Sequence, residues 1–287
     1  MPERAYDAIL LDLDGTLLSD EGVIHPTTRE RLHTAAECGV RVMIATGRSE
    51  TTAIPVIEQL GIETPAVIYN GAAVYCPTER RLLEERNLDR ALLDRLLDYA
   101  EARDHLPVVM CPETKLALTP RRDAERIALH DMSKLRIVEP QALRVDRSIR
   151  VSLFSSVHPD ADAFVAELEA EVPDLDAYLT WFPLNLLPEH RESDLLVIDV
   201  QPQCAGKAEA FRILEKRYGI SPERTIAFGD AGNDLPMFER AGLAVAMENA
   251  VPEAKELAHR VIGANDTDAI GSLVSELGLD RESTPGR

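Results

Sequence analysis

Residues 8–20 read AILLDLDGTLLSD. Two aspartates, Asp12 and Asp14, follow the apolar Ile9, Leu10 and Leu11 and stand directly before Gly15 and Thr16. Carboxylates so placed can share a hard divalent cation. One can attack a phosphorus atom while the other moves a proton. A plain turn is the competing reading, because Asp-Gly between hydrophobic residues is also a strong hairpin signal. Three further stretches bear on the choice: IATGR with Thr46, Gly47 and Arg48; CAGKAEA with Lys207; and FGDAGNDLPM with Asp230, Asn233 and Asp234. Taken singly they suit a strand-to-loop transition, a solvated helix lysine and a helix cap. A hairpin accounts for the first stretch and leaves the other three unexplained.

Each residue type has a chemical use. Magnesium prefers oxygen ligands; Asp12 and Asp230 can supply carboxylates, and Asp234 can hold a coordinated water. Asp12, anchored at a strand end, is the expected nucleophile and would carry an aspartyl-phosphate. Asp14 starts on the opposite face, since strand side chains alternate. Gly15 permits a turn that returns it as the acid for the leaving oxygen and then the base for water. Thr46 offers a hydroxyl and backbone N–H groups to phosphate oxygens. Lys207 brings a cation near a helix N-terminus, where anions are already favoured. Asn233 is a neutral donor able to orient Asp230 or phosphate.

Gathering these groups calls for parallel strands, whose C-terminal ends form the ligand crevice of an open α/β sheet. YDAILLDL, VRVMIATG and AVIYNG are unalternated apolar runs, as strands buried on both faces are. Helical periodicity separates them. HPTTRERLHTAAECG has Pro26 in its first turn and Gly39 at its end; SETTAIPVIEQLG is opened by Ser49, closed by Gly61 and expected to be kinked or shifted by Pro55. The rhythm becomes mixed after about residue 72 and resumes near residue 205 with GKAEAFRILEKRYG, RTIAFGD, NDLPMFERAG, LAVAM and VPEAKELA. The expected class is α/β: a doubly wound parallel-sheet core over residues 1–81 and 196–287, with an inserted domain of helices and strands over 82–195. SDLLVIDV suits either part. The tail DRESTPGR is expected to be disordered.

A length of 287 residues suits two domains. A formal charge of −19 argues against wrapping nucleic acid or lying on an anionic membrane. An anionic phosphate substrate then requires a metal and local cations to reverse the field inside the site. Lysine is scarce, five residues against 26 arginines, which makes each lysine worth inspecting. No apolar run approaches a membrane span, and MPERAYD lacks signal-peptide features, so a cytoplasmic protein is expected. The four cysteines, Cys38, Cys76, Cys111 and Cys204, lie far apart, and the seven histidines show no ligand spacing. Neither a disulfide framework nor a zinc or histidine-rich metal site is expected.

DLDGTLL, IATGR, GK before a helix and FGDAGNDLPM resemble the four motifs of the haloacid dehalogenase-like (HAD) hydrolases. YNGA, AVAMENA and NDTD extend the likeness toward the Cof-type sugar-phosphatase branch, with its Rossmann-like core and a large α/β cap (type IIB) after the second motif. The cap is matched by size and position. The resemblance implies a Mg²⁺-dependent phosphatase acting on a small organic phosphomonoester, either a phosphosugar or a cofactor-precursor phosphate, with specificity set by the cap. It implies Asp12 as nucleophile and Asp14 as acid/base. Mg²⁺ would sit at Asp12, Asp230 and the Asp14 main-chain carbonyl; phosphate would be held by the Leu13 N–H, Thr46, Gly47, Lys207 and Asn233. An aspartate at position 14 favours phosphoryl transfer over dehalogenation. Ala231, Glu248 and Ala269 depart from the commonest forms of their motifs, which bears on subfamily and not on chemistry. A phosphosugar mutase of the phosphomannomutase type shares the motifs and would need a cationic cap surface, for which Arg121, Arg122 and Arg126 are candidates. A non-catalytic phosphometabolite-binding module is a third reading; loss of Asp12 or Asp14 would mark it, and both are present. Trp181, Phe182 and His190 are candidates to face substrate from the inserted domain.

Overall fold

The computed structural model describes residues 4–130, 132–187, 190–204 and 206–281. In chain order, the elements open with β1 (Ala8–Leu11), α1 (Pro26–Glu37), β2 (Arg41–Ile44), α2 (Glu50–Leu60), β3 (Ala66–Ile68), β4 (Ala73–Cys76) and β5 (Arg81–Glu85). Then come α3 (Arg90–Ala102), β6 (Leu106–Cys111), β7 (Thr114–Ala117), α4 (Asp123–His130), β8 (Leu135–Ile137), β9 (Arg150–Ser155), α5 (Ala161–Glu171), β10 (Ala177–Pro183) and β11 (Leu196–Pro202). The last stretch holds α6 (Glu209–Tyr218), β12 (Thr225–Gly229), α7 (Leu235–Phe238), β13 (Leu243–Met247), α8 (Pro252–Leu257), β14 (Arg260–Ile262) and α9 (Ala269–Glu276). The chain forms two units: residues 1–84 with 205–287, and residues 85–204.

The first unit is the expected doubly wound α/β core. Its main sheet has five parallel strands in the order β14-β13-β12-β1-β2. β1 lies between β12 and β2, with Leu11 in register with Phe228 and Ile44. All four β1 residues are fully buried, which is why its sequence does not alternate. Phe211, Leu214, Met237 and Phe238 pack with Leu10, Met43 and Ala227 in one apolar cluster. A three-stranded sheet, β3-β4-β5, stands beside it in sequence, and a parallel bridge joins Ala45 to Val67. Helix α1 has Pro26 in its first turn, and α2 ends at Gly61 in the left-handed region, as expected. Pro55 lies inside α2, so the helix start is not moved; Pro55 simply has no N–H to give to the preceding turn.

The second unit is a six-stranded sheet, β10-β11-β9-β6-β7-β8, antiparallel apart from the β7–β8 pair. Leu93 and Leu96 of α3 and Phe164 and Leu168 of α5 pack with Val109, Val151 and Ile198 of the strands. β11 belongs here, flanked by β9 and β10. The boundary expected before residue 196 therefore falls at 204/205, because the apolar run of β11 completes an antiparallel sheet instead of extending the parallel one. The short strands β8 and β14 and helix α9 went unread in the sequence. Of the tail, Asp280 is held by Arg31 (3.1 Å) and Ser275 (2.7 Å), contrary to expectation; residues 282–287 lie outside the described residues. Among the described residues, no helix is long and apolar enough to cross a membrane.

Candidate active site

Asp12 directly follows β1, and its amide donates to the Phe228 carbonyl at 3.1 Å, extending the β1–β12 ladder by one residue. Its carboxylate meets Lys207, which sits in a 3₁₀ turn, Gly206–Ala208, just ahead of α6. The Lys207 ammonium is 1% exposed and donates to Asp12 Oδ1 (2.7 Å), Asp234 Oδ1 (2.6 Å) and Asn233 Oδ1 (3.2 Å). Asp234, fully buried, uses its other oxygen to accept the amides of Asp230 (2.8 Å) and Ala231 (2.9 Å). It thereby shapes the turn that carries Asp230 off the end of β12. Thr16 donates its hydroxyl to Asp230 Oδ1 at 2.8 Å. Carboxylate oxygens of Asp12, Asp230 and Asp234 lie within 4.8 Å of one another.

Crowding of like charges shows in the acidities. Burial pushes the Asp12 carboxyl well above the usual range; Lys207 pulls it back, and the charges of Asp234, Asp230 and Asp14 push it up again. Burial and then Asp234 raise Asp230 to about 7. Burial alone would lower Lys207, but Asp12 and Asp234 hold it above the ordinary lysine value. The cluster is thus short of positive charge and lined with hard oxygen donors, which fits Mg²⁺. Asp234 has committed both oxygens to protein donors, which makes the carboxylates of Asp12 and Asp230 the better candidates to face an ion.

The DLDG stretch is a turn, and it stands beside the carboxylate cluster. Gly15 takes φ +73°, and the amides of Thr16 and Leu18 donate to the Leu13 carbonyl. A parallel bridge joins Asp14 to Leu18, and the hairpin proper comes just after it, where Leu18 pairs antiparallel with Ile24. Its chemical content comes from Arg48, whose Nε and Nη2 donate to the two Asp14 oxygens at 2.8 and 2.5 Å. Asn249 donates to the Gly15 carbonyl and Asn265 to the Leu18 carbonyl, both at 2.8 Å, and fasten the same loop.

Thr46, fully buried, accepts the Arg48 amide on its hydroxyl oxygen at 3.1 Å, which leaves the hydroxyl proton available to donate. A side chain at Gly47 would meet Asn70 Oδ1 at 3.0 Å. Asn70 accepts from Asn233 Nδ2 at 3.1 Å, and its own amide donates to the Thr46 carbonyl at 3.0 Å. The first unit therefore brings together Asp12, Asp14, Thr46, Gly47, Lys207, Asp230, Asn233 and Asp234, with Leu13 buried between the two aspartates. The asparagines at 70, 249 and 265, and the grip of Arg48 on Asp14, were not read as parts of the site. YNGA, AVAMENA and NDTD hold or border the asparagines, but no spacing rule ties them to residue 12.

The cap candidates lie in the second unit. Arg121 pairs with Asp104, Arg122 with Asp104 and Glu125, and Arg126 with Asp123, so the three arginines are neutralised by local acids. Trp181 donates from its indole to Asp162 at 2.7 Å, Phe182 lies in β10, and the His190 amide donates to the Leu187 carbonyl.

Comparison with known proteins adds the lineage. The family model for haloacid dehalogenase-like hydrolases matches residues 9–274. A putative phosphatase of Bacillus subtilis, YkrA, is 32% identical over 272 residues, 94% of this chain and 97% of that protein. YitU of the same organism, a 5-amino-6-(5-phospho-D-ribitylamino)uracil phosphatase, is 27% identical over 93% of this chain and 96% of its own. Among solved structures, the phosphatase BT1666 from Bacteroides thetaiotaomicron superposes with a TM-score of 0.79 at 21% identity, covering 96% of each chain. A match running from β1 to α9, joined to relatives named as phosphatases that this chain matches over nearly their whole length, makes it a member of the haloacid dehalogenase-like hydrolases and one of their phosphoric monoester hydrolases.

Proposed function

We propose that the protein is a Mg²⁺-dependent phosphatase that hydrolyses a small organic phosphomonoester, a phosphosugar or a phosphorylated cofactor precursor, by way of a phosphorylated Asp12. The carrying observation is the buried Lys207 bonded at once to Asp12 and Asp234, with Asp230 beside them. In it, the nucleophile is fixed at a strand end and its charge is balanced from one side. Asp12 attacks phosphorus as the ester P–O bond breaks, and Asp14 gives a proton to the leaving alkoxide. Water then attacks the same phosphorus and yields a proton to Asp14. The bond to Asp12 breaks, freeing phosphate and restoring the carboxylate. Thr46, Asn233, Lys207 and the amides of Leu13 and Gly47 orient the phosphoryl oxygens. Mg²⁺, held by Asp12, Asp230 and the Asp14 main-chain carbonyl, would supply positive charge opposite those oxygens. Asp234 holds Lys207 and the turn at Asp230, and its Oδ1 can still accept a bond from a metal-bound water.

YitU is named for a substrate with its phosphate on a ribityl chain, which is an alkyl ester with a poor leaving group. Such esters need the proton that Asp14 can give. Local pairing of Arg121, Arg122 and Arg126 leaves the mutase reading without the cationic surface it needs, which favours water as the acceptor. We assign substrate selection to the inserted unit. The test is phosphate release from a panel of phosphosugars and cofactor-precursor phosphates, with Mg²⁺ and with EDTA. Release that stops on chelation is the expected result. Full turnover in metal-free enzyme, or activity that appears only with a sugar bisphosphate, would overturn the proposal.

A further inference from the structure

The second unit carries a compact group of ligating side chains distant in sequence. His105 stands at the start of β6, His158 in the loop after β9, and Glu167 on α5. His158 Nε2 lies 3.3 Å from Glu167 Oε2, and His105 Nε2 lies 3.9 Å from Glu167 Oε1. One ligand atom from each of the three falls within 4.8 Å of the others. Two ligands bound tetrahedrally at about 2.0–2.1 Å stand roughly 3.3 Å apart, so the first separation already matches and the second needs a small side-chain adjustment.

The surroundings also suit a metal. The imidazoles of His105 and His158 are 2% and 9% exposed and flank the Phe164 ring, with centroids 4.9 and 4.6 Å away. Ser155 Oγ lies 2.8 Å from His158 Nδ1 and already accepts the Val157 amide. It can accept the Nδ1 proton too, which fixes the tautomer with its Nε2 lone pair toward Glu167. Tyr99 donates its hydroxyl to Glu167 Oε1 at 2.9 Å, and Arg103 comes no nearer to Glu167 than 3.8 Å while it pairs with Glu171.

We propose that His105, His158 and Glu167 form a structural site for one borderline divalent ion, Zn²⁺ or a similar transition metal, which ties the start of β6 and the loop after β9 to α5. Imidazole nitrogen with a single carboxylate selects such ions over Mg²⁺. Spacing along the chain gives no sign of such a site, because 53 and nine residues separate ligands that the sheet and helix bring together.

The test uses the full chain, stripped by chelation and supplied with excess Mg²⁺ to fill the carboxylate cluster of the first unit, then titrated with Co²⁺. One equivalent should give the intense visible d–d bands of a four- or five-coordinate nitrogen-containing site, and Zn²⁺ should displace it. His158→Ala and Glu167→Gln should abolish the bands. Ser155→Ala, a milder change, should weaken binding by about 10–100-fold. Asp230→Asn should leave the bands intact. Circular dichroism confirms that each variant is folded. Absence of the bands in wild type, their persistence in His158→Ala, or their loss in Asp230→Asn would overturn the proposal.

Discussion

Replacing Lys207 by methionine keeps most of the side-chain volume and deletes the charge between two buried carboxylates. The Lys207 Nζ bonds Asp12 at 2.7 Å and Asp234 at 2.6 Å and is 1% exposed. Removing one partner from a buried ion pair costs about 3–5 kcal/mol. For a unit of this size each kcal/mol lowers Tm by about 2–4 °C, so Lys207→Met should melt roughly 10 °C lower near neutral pH. The loss should shrink in acid. Burial and Asp234 hold Asp230 at about 7, and burial first raises Asp12 as well. Carboxyls raised above their unfolded values bind protons in the folded state first, so they favour folding at low pH and withhold that stability as pH rises through about 7. Near pH 5 the cluster is less negative, and the substitution should cost only about 1–2 kcal/mol. Thermal unfolding of both proteins at the two pH values, with and without Mg²⁺, measures this. Equal losses at both pH values, or no recovery of the neutral-pH Tm with Mg²⁺, would refute the charge-balance argument.

Asp12→Asn should fold and lose turnover by orders of magnitude, and borohydride added during wild-type turnover should reduce Asp12; mass spectrometry showing reduction at another carboxylate would remove it as nucleophile. Arg48→Ala removes the two bonds that hold the Asp14 carboxyl in position, so it should slow alkyl phosphates by up to the roughly 10²–10⁴-fold that proton transfer contributes, and aryl phosphates much less. Equal losses on both substrate types would mean that Arg48 does not act through Asp14. Gly15→Ala would force a side chain into a φ of +73° and 2.3 Å from Asp230 Oδ2. It should cost about 1–2 kcal/mol in backbone strain and raise the Mg²⁺ concentration for half-activity about tenfold. A Mg²⁺ titration identical to wild type would detach Asp230 from the metal.

Asp12, Thr46 and Asp230 were legible because each ends an apolar run of strand length, and a parallel sheet brings such ends to one edge. Lys207 was legible by position, just before a helix that follows the inserted segment. What Arg48 does was hidden, since a long side chain can reach many neighbours and its choice of Asp14 depends on the turn at Gly15. The same limit hid Asn265, whose partner Leu18 is 247 residues away. The sequence leaves β11 open between the two parts because a strand covered on both faces reads alike in either sheet. β8 and β14 are three residues each, with exposed positions that leave no period to detect.

The place of β1 inside its sheet, between β12 and β2, has a consequence for how the chain is made. One neighbour, β2, follows within a few dozen residues, but the other side waits for β12; Thr16 and its partner Asp230 are 214 residues apart. A ribosome adding about 5–20 residues per second needs roughly 10–40 s to cover that distance. Throughout that interval an all-apolar strand offers an open row of amides and carbonyls to any passing chain. The intervening unit, whose sheet pairs only within residues 85–204, can fold on the way and shorten the loop that must close before β12 docks. Yield of active enzyme should therefore depend on synthesis rate and on holdase chaperones, and the nascent species most prone to aggregate is the chain stalled just before residue 225.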